Sequence, residues 1–180
     1  MTTIYFETVL RKIGDWIILW LPENTSAQLP SRGLVLVEGT INGVHSKIVL
    51  EPDGKGSHWF RVDSGLCEAA GIDAGDTVTV AVEPSKAWPE PEVPADLNVA
   101  LVSDPQANAL WVQITPMARW DWLRWIRATN NPETRSRRIE GALSKLNAGE
   151  RRPCCFNRNQ CTEPEVSKSG VLIDPTYAAK

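Results

Sequence analysis

From Thr3 to Glu83 apolar residues recur mostly at every second position, the period of a strand with one buried face. Ile4, Phe6, Thr8 and Leu10 alternate with Tyr5, Glu7 and Val9, which predicts a first half-buried strand. Trp16 to Leu21 predicts a second, ended by Pro22. The segment Leu34 to Leu50 reads as a hairpin turning at Asn42-Gly43, because a two-residue Asn-Gly loop favours a type I′ turn and so fixes the register. That register sets Ile41 opposite Val44, Val37 opposite Ile48 and Val35 opposite Leu50 on one face, and Glu38 opposite Lys47 on the other. A Gly-rich turn over residues 51–56 feeds a strand from Ser57 to Val62, in which His58, Phe60 and Val62 share a face and Trp59 and Arg61 take the opposite one. Asp63 to Ala70 predicts one or two helical turns around Cys67, and Gly75-Asp76 opens a last strand with Val78, Val80 and Val82 on one side. Six or seven short strands and one short helix predict a small closed β-barrel over residues 1–86, since closure removes exposed edges.

Beyond it the pattern changes. Pro84, Pro89, Pro91 and Pro94 make residues 87–94 an extended, semi-rigid connector. From 95 to 152 the apolar spacing is helical. Ala95 to Val102 predicts one helix, and Asp104-Pro105, Thr115-Pro116 and Asn131-Pro132 each place a capping side chain before a proline at the first helical position. The last of these helices carries Ile139, Ala142, Leu143 and Leu146 as a single apolar stripe and stops at Gly149. The expected fold is therefore α+β, a closed β-barrel followed by a small helical bundle, with a cysteine-containing tail over residues 153–180.

Charge divides along the chain. Residues 1–116 hold 7 Lys+Arg against 15 Asp+Glu, and residues 117–152 hold 9 against 4, inside a net charge of -3. The basic part is mostly arginine: Arg119, Arg124, Arg127, Arg135, Arg137 and Arg138. It reads either as a helical pair complementing an acidic body or as a face for an anionic partner. No stretch has the form of a secretory signal, and the longest apolar run, Trp16 to Leu21, is too short for a bilayer. A cytoplasmic protein without membrane insertion, its cysteines reduced, is the expectation.

Candidate chemistry is sparse. Cys154, Cys155 and Cys161 are grouped, but adjacent cysteines followed by a five-residue gap do not match zinc-site spacing, and a fourth ligand would have to come from His45 or His58. The alternatives are a packed or oxidisable tail, and thiols made reactive by Arg151, Arg152 and Arg158. No cofactor is implied. The chain has no Gly-x-Ser-x-Gly, His-Glu-x-x-His, phosphate-binding loop or dinucleotide fingerprint. Of the 8 tryptophans, Trp16, Trp20 and Trp111 sit in apolar runs and read as core, whereas Trp59, Trp88, Trp120 and Trp125 lie beside charge and read as groove-lining.

The chain also resembles known families. Leu-Pro at 21–22, Gly-Thr-Ile-Asn-Gly at 39–43, Gly-Lys-Gly-Ser-His at 54–58 and Gly-Asp-Thr-Val at 75–78 are similar to a small barrel domain of unknown function. Val-Pro-Ala-Asp-Leu at 93–97, Trp-Ile at 125–126 and Glu-Thr-Arg-Ser-Arg-Arg-Ile at 133–139 resemble the YdeI/OmpD-associated, or bacteriocin-protection, domain. Arg-Ala-Thr-Asn-Asn at 127–131 departs from the alanine-lysine pair expected there. The resemblance implies protection from antimicrobial peptides and assigns no catalytic residue. The leading expectation is a binding or sequestering protein for a small-molecule or peptide ligand, held in a cleft between barrel and helices. Lys55, His58, Trp59, Trp120, Arg135 and Arg138 are its candidate contacts. The competing expectations are an enzyme using the Cys154/Cys155/Cys161 thiols or a metal there, and a nucleic-acid adaptor using the basic helices, which the overall acidity disfavours. The sequence sets no oligomeric state.

Overall fold

The computed structural model describes residues 2–154 and 156–174. The chain divides into two compact units, residues 2–87 with 158–161 and 166–174, and residues 88–157 with 162–165. The described residues after 152 therefore form no unit of their own.

The first unit contains β1 (Ile4–Val9), β2 (Arg11–Ile13), β3 (Trp16–Trp20), α1 (Glu23–Ser26), β4 (Val35–Ile41), β5 (Val44–Pro52), β6 (His58–Val62), α2 (Ser64–Ala70) and β7 (Thr77–Pro84). The strands form one antiparallel sheet in the order β1-β7-β4-β5-β6-β3-β2. The β4–β5 register has the four expected pairs, from Ile41 opposite Val44 to Val35 opposite Leu50. Asn42 and Gly43 both take positive φ, 45° and 79°, as a type I′ turn requires.

The sheet curls but does not close, which corrects the barrel expectation. Strands β1 and β2 are the two ends of the order, and among the described residues no ladder joins them. At Leu10 the chain leaves β7, making its last backbone bonds there to Asp76 O and from Gly75 N, and β2 then pairs with β3. The gap is spanned by the Thr8 hydroxyl, which donates to the Trp20 carbonyl at 3.0 Å. A side chain thus stands where a ladder bond would close a barrel, and a seam remains between β1 and β3.

Both faces of the sheet are covered around β3 and β6. The concave face buries Leu10, Leu19, Val37, Leu50, Phe60 and Val80. The other face buries Ile13, Ile18 and Trp59 beneath Cys161, Val166 and Leu172 of the tail. That tail contains the hairpin β8 (Ser167–Lys168) and β9 (Val171–Leu172). Leu172 N donates to Asp53 O at 2.8 Å, and Gly170 lies so close to Gly54 that a Cβ on Gly54 would collide with the Gly170 carbonyl. Gly54, at φ 83°, is required for this approach as well as for its backbone conformation.

The second unit holds α3 (Ala95–Val102), α4 (Pro105–Gln113), α5 (Pro116–Arg127) and α6 (Pro132–Asn147). All three cap-then-proline starts operate: Asp104, Thr115 and Asn131 accept from Ala107 N, Ala118 N and both Glu133 N and Thr134 N. The core packs Leu97, Trp111, Trp122, Ile126, Ala142 and Leu146, with Leu123 and Leu143 partly buried against it. Among the described residues no helix is long and apolar enough to cross a membrane.

Candidate functional site

Arginines dominate the basic part of the charge pattern. Most serve the helical unit's own architecture. Arg119 is buried, with two nitrogens on the Glu90 carboxylate and a third donating to the carbonyls of Trp111 and Ile114. Trp120 donates its indole N–H to Pro89 O at 3.0 Å, so it holds the proline-rich stretch against α5. Arg124 is wholly buried, 3.5 Å from Asp121 and over the Phe156 ring, and Arg152 reaches the same Asp121 at 3.0 Å. Arg127 pairs with Glu163. Arg135 forms the two-pronged pair with Asp96 (2.7 and 3.0 Å), which holds the Asp96 carboxyl below its usual range. Arg138 donates to Trp125 O, in the last turn of α5, and lies over the Trp125 ring. Arg137 is exposed and donates to the Thr134 hydroxyl. Of the two arginines expected as open anion anchors, Arg135 thus has its fork on the Asp96 carboxylate within the unit, and Arg138 has one nitrogen on the Trp125 carbonyl.

His58 and Trp59 are likewise interior. Trp59 has no exposed surface, and its N–H donates to Pro52 O, so the tail hairpin removes it from any groove. His58 Nε2 is 2.8 Å from the Gly33 carbonyl, which can only accept, so Nε2 carries the proton and Nδ1 accepts from Ser26 Oγ at 2.6 Å. Arg32 donates to Ser26 Oγ, Ser26 O, Leu29 O and Gly56 O, tying α1 and its exit loop to the Gly56 turn. Burial pushes the His58 pKa below its ordinary value and the Arg32 charge adds to that, while the Gly33 bond and Asp53 oppose it. The fold therefore holds His58 neutral where the unfolded chain would take a proton. The resulting stability is present above about pH 6.5 and is lost as pH falls below it, at up to ~1.4 kcal/mol per pH unit. Urea unfolding at pH 7.5 and pH 5.5 checks this. The wild type should lose more stability than His58→Gln, and parallel losses would assign the acid sensitivity elsewhere.

The described cysteines have different settings. Cys161 is buried in the tail cluster and Cys154 is exposed, while Cys155 lies outside the described residues. Among the described residues no three His, Cys, Asp or Glu side chains are grouped to hold a metal. Cys67 borders a shallow hollow with Asp63, Glu68 and Asp73, and burial together with those carboxylates pushes its thiol up, away from the reactive form.

One cleft has fixed polar walls, and it opens at the seam. It has a volume of about 540 Å³ and is lined by Thr8 and Arg11, by Trp20 to Glu23, by Asp53, Lys55 and Ser57 of the Gly-rich turn, and by Asp174. Asp53 organises it. Its Oδ1 accepts from Lys55 N (2.7 Å) and Ser57 N (3.0 Å), and its Oδ2 accepts from the Trp20 indole (3.0 Å). These bonds set the turn and the tilt of Trp20 together. Ser57 Oγ donates to Leu21 O at 2.9 Å, joining the turn to the end of β3. Of the sequence-proposed contacts, Lys55 alone lines this cleft. Arg11, Trp20 and Asp53 were missed, although an aspartate between a strand and a Gly-x-Gly turn is a side chain placed to bond its own turn's amides.

Residues 6–82 match the family model described as a domain of unknown function, DUF1905, and residues 90–149 match that described as bacteriocin-protection, YdeI or OmpD-associated. Both parts of the resemblance read from the sequence are thereby shown. No curated protein matches the chain.

Proposed function

We propose, with these two family matches as premise, that the protein serves protection from antimicrobial peptides by binding a small peptide-like molecule in the seam cleft and holding it unaltered. The observation that carries this reading is the cleft's construction. Four chain segments converge on it, and Asp53 fixes its floor before any ligand arrives, which lowers the ordering cost of binding. Trp20, half-buried with its N–H engaged, offers a ring to an apolar group. The enzyme alternative has less support, because the neutral His58 and its partner Ser26 are both sealed inside the unit. In this reading the protein acts in the cytoplasm on molecules that have entered it.

The test is a titration of the full chain with an antimicrobial peptide, followed by tryptophan fluorescence, denaturation and mass spectrometry of the released peptide. Saturable quenching that Trp20→Phe diminishes, with the peptide recovered intact in stoichiometric amount, is expected. Absence of saturable quenching, or recovery of a modified peptide, would overturn the proposal.

A further inference from the structure

We infer that the seam cleft selects molecules bearing one carboxylate on an apolar or aromatic body, as at the C-terminus of a short peptide, with Arg11 and Lys55 as the anion anchors. This rests on the reading of the cleft as the binding site.

The argument is an inventory of donors. A ligand anion must be met by hydrogen-bond donors, since an uncompensated charge entering a partly desolvated site is costly. Most of the donors on the cleft's floor are already spent within the protein. The Thr8 hydroxyl donates to Trp20 O, the Trp20 indole to Asp53, the Ser57 hydroxyl to Leu21 O, and the amides of Lys55 and Ser57 to Asp53 Oδ1. The amide of Leu21 is spent on His58 O. The charged donors left are the side chains of Arg11 and Lys55. Both are exposed, and among the described residues neither makes a hydrogen bond or ion pair. Arg11 brings a planar fork suited to a carboxylate and Lys55 a point charge.

The remaining walls set the rest of the ligand. Trp20, Leu21 and Pro22 present apolar surface, so a bare ion would leave that surface wet. Glu23 also lines the cleft, and with Asp53 it sets two carboxylates beside the two cations. A dianion such as phosphate meets those carboxylates with twice the charge of a monoanion. A monoanion gains both anchors, and a ligand amine would gain from Glu23. The same charges explain why an amidated peptide end would bind less well, since it gives Arg11 and Lys55 nothing to neutralise.

The test uses the full chain and two probes, N-acetyl-leucyl-phenylalanine with a free carboxylate and the same compound as its C-terminal amide. Calorimetry at low salt should give an affinity at least tenfold higher for the acid. Raising the salt should narrow that gap. The double variant Arg11→Gln, Lys55→Gln should bring the acid to the level of the amide with an unchanged melting temperature, both side chains being exposed. Inorganic phosphate at tenfold excess should not displace the acid. Equal binding of acid and amide, retention of the preference in the double variant, or displacement by phosphate would each overturn the inference while leaving the cleft as a binding site. Failure of both probes where an antimicrobial peptide still binds would overturn it too. Failure of every peptide to bind removes the proposed function along with it.

Discussion

Trp59→Ala is expected to lower the unfolding free energy by about 3–5 kcal/mol and to release the tail from the sheet. Trp59 is fully buried among Ile13, Ile18, Cys161, Val166 and Leu172. It stands 6.3 Å from the Trp16 ring and gives its N–H to Pro52 O. Alanine would leave a large void at the centre of that cluster and an unanswered carbonyl beside it. The tail cannot refill the void by sliding, because its approach is fixed by the Gly170–Gly54 contact and by the Leu172–Asp53 bond. Two measurements separate the effects. Urea unfolding gives the total loss, and limited proteolysis should show early cleavage between residues 158 and 174 before the sheet is cut. A loss below about 1 kcal/mol with an unchanged cleavage pattern would mean that the tail holds without the tryptophan. Trp59→Phe should cost less than alanine, because it keeps most of the packing volume.

That tail explains where the sequence was legible and where it was not. The β4–β5 hairpin could be placed to the residue because two independent signals agree on it, the Asn42-Gly43 turn and the alternation on either side. The helices of the second unit were equally plain, since each proline start is preceded by a side chain that does cap it. What covers the outer face was not plain. Trp16 to Trp20 is apolar at every position, the pattern of a strand buried on both faces. The residues that do the covering, Cys161, Val166 and Leu172, follow no period and lie more than a hundred positions from Trp59. Barrel closure was illegible for a related reason. Whether β1 meets β3 through a ladder or only through the Thr8 hydroxyl depends on geometry at Leu10, which alternation does not encode. The cleft is a product of that unclosed seam, so the sequence pointed to Lys55 in its Gly-rich turn without showing that Arg11 and Trp20 stand beside it.

The arginines were legible in number and not in their partners, and a paired substitution makes the difference measurable. Arg119→Ala is expected to cost roughly 2–4 kcal/mol, from two buried carbonyls left without donors at about 1–3 kcal/mol each. Arg137→Ala should stay within about 0.5 kcal/mol. The two residues count equally in any tally of basic charge. Arg119, however, is only 7% exposed and donates to Trp111 O and Ile114 O, where α4 ends and leaves its carbonyls without intrahelical partners. Its other nitrogens hold Glu90, and through Glu90 the proline-rich stretch, against α5. The Glu90 side chain is 67% exposed, so the ion pair itself adds little and the carbonyls carry the cost. Two further variants separate those contributions. Glu90→Gln should cost less than about 1 kcal/mol, as a solvent-screened pair would. Arg119→Lys should recover only part of the alanine loss, since one ammonium cannot span both carbonyls and the carboxylate in the geometry of a fork. Urea unfolding of the four variants decides the matter. Similar small losses for Arg119→Ala and Arg137→Ala would return the basic helices to the status of a surface awaiting an anionic partner.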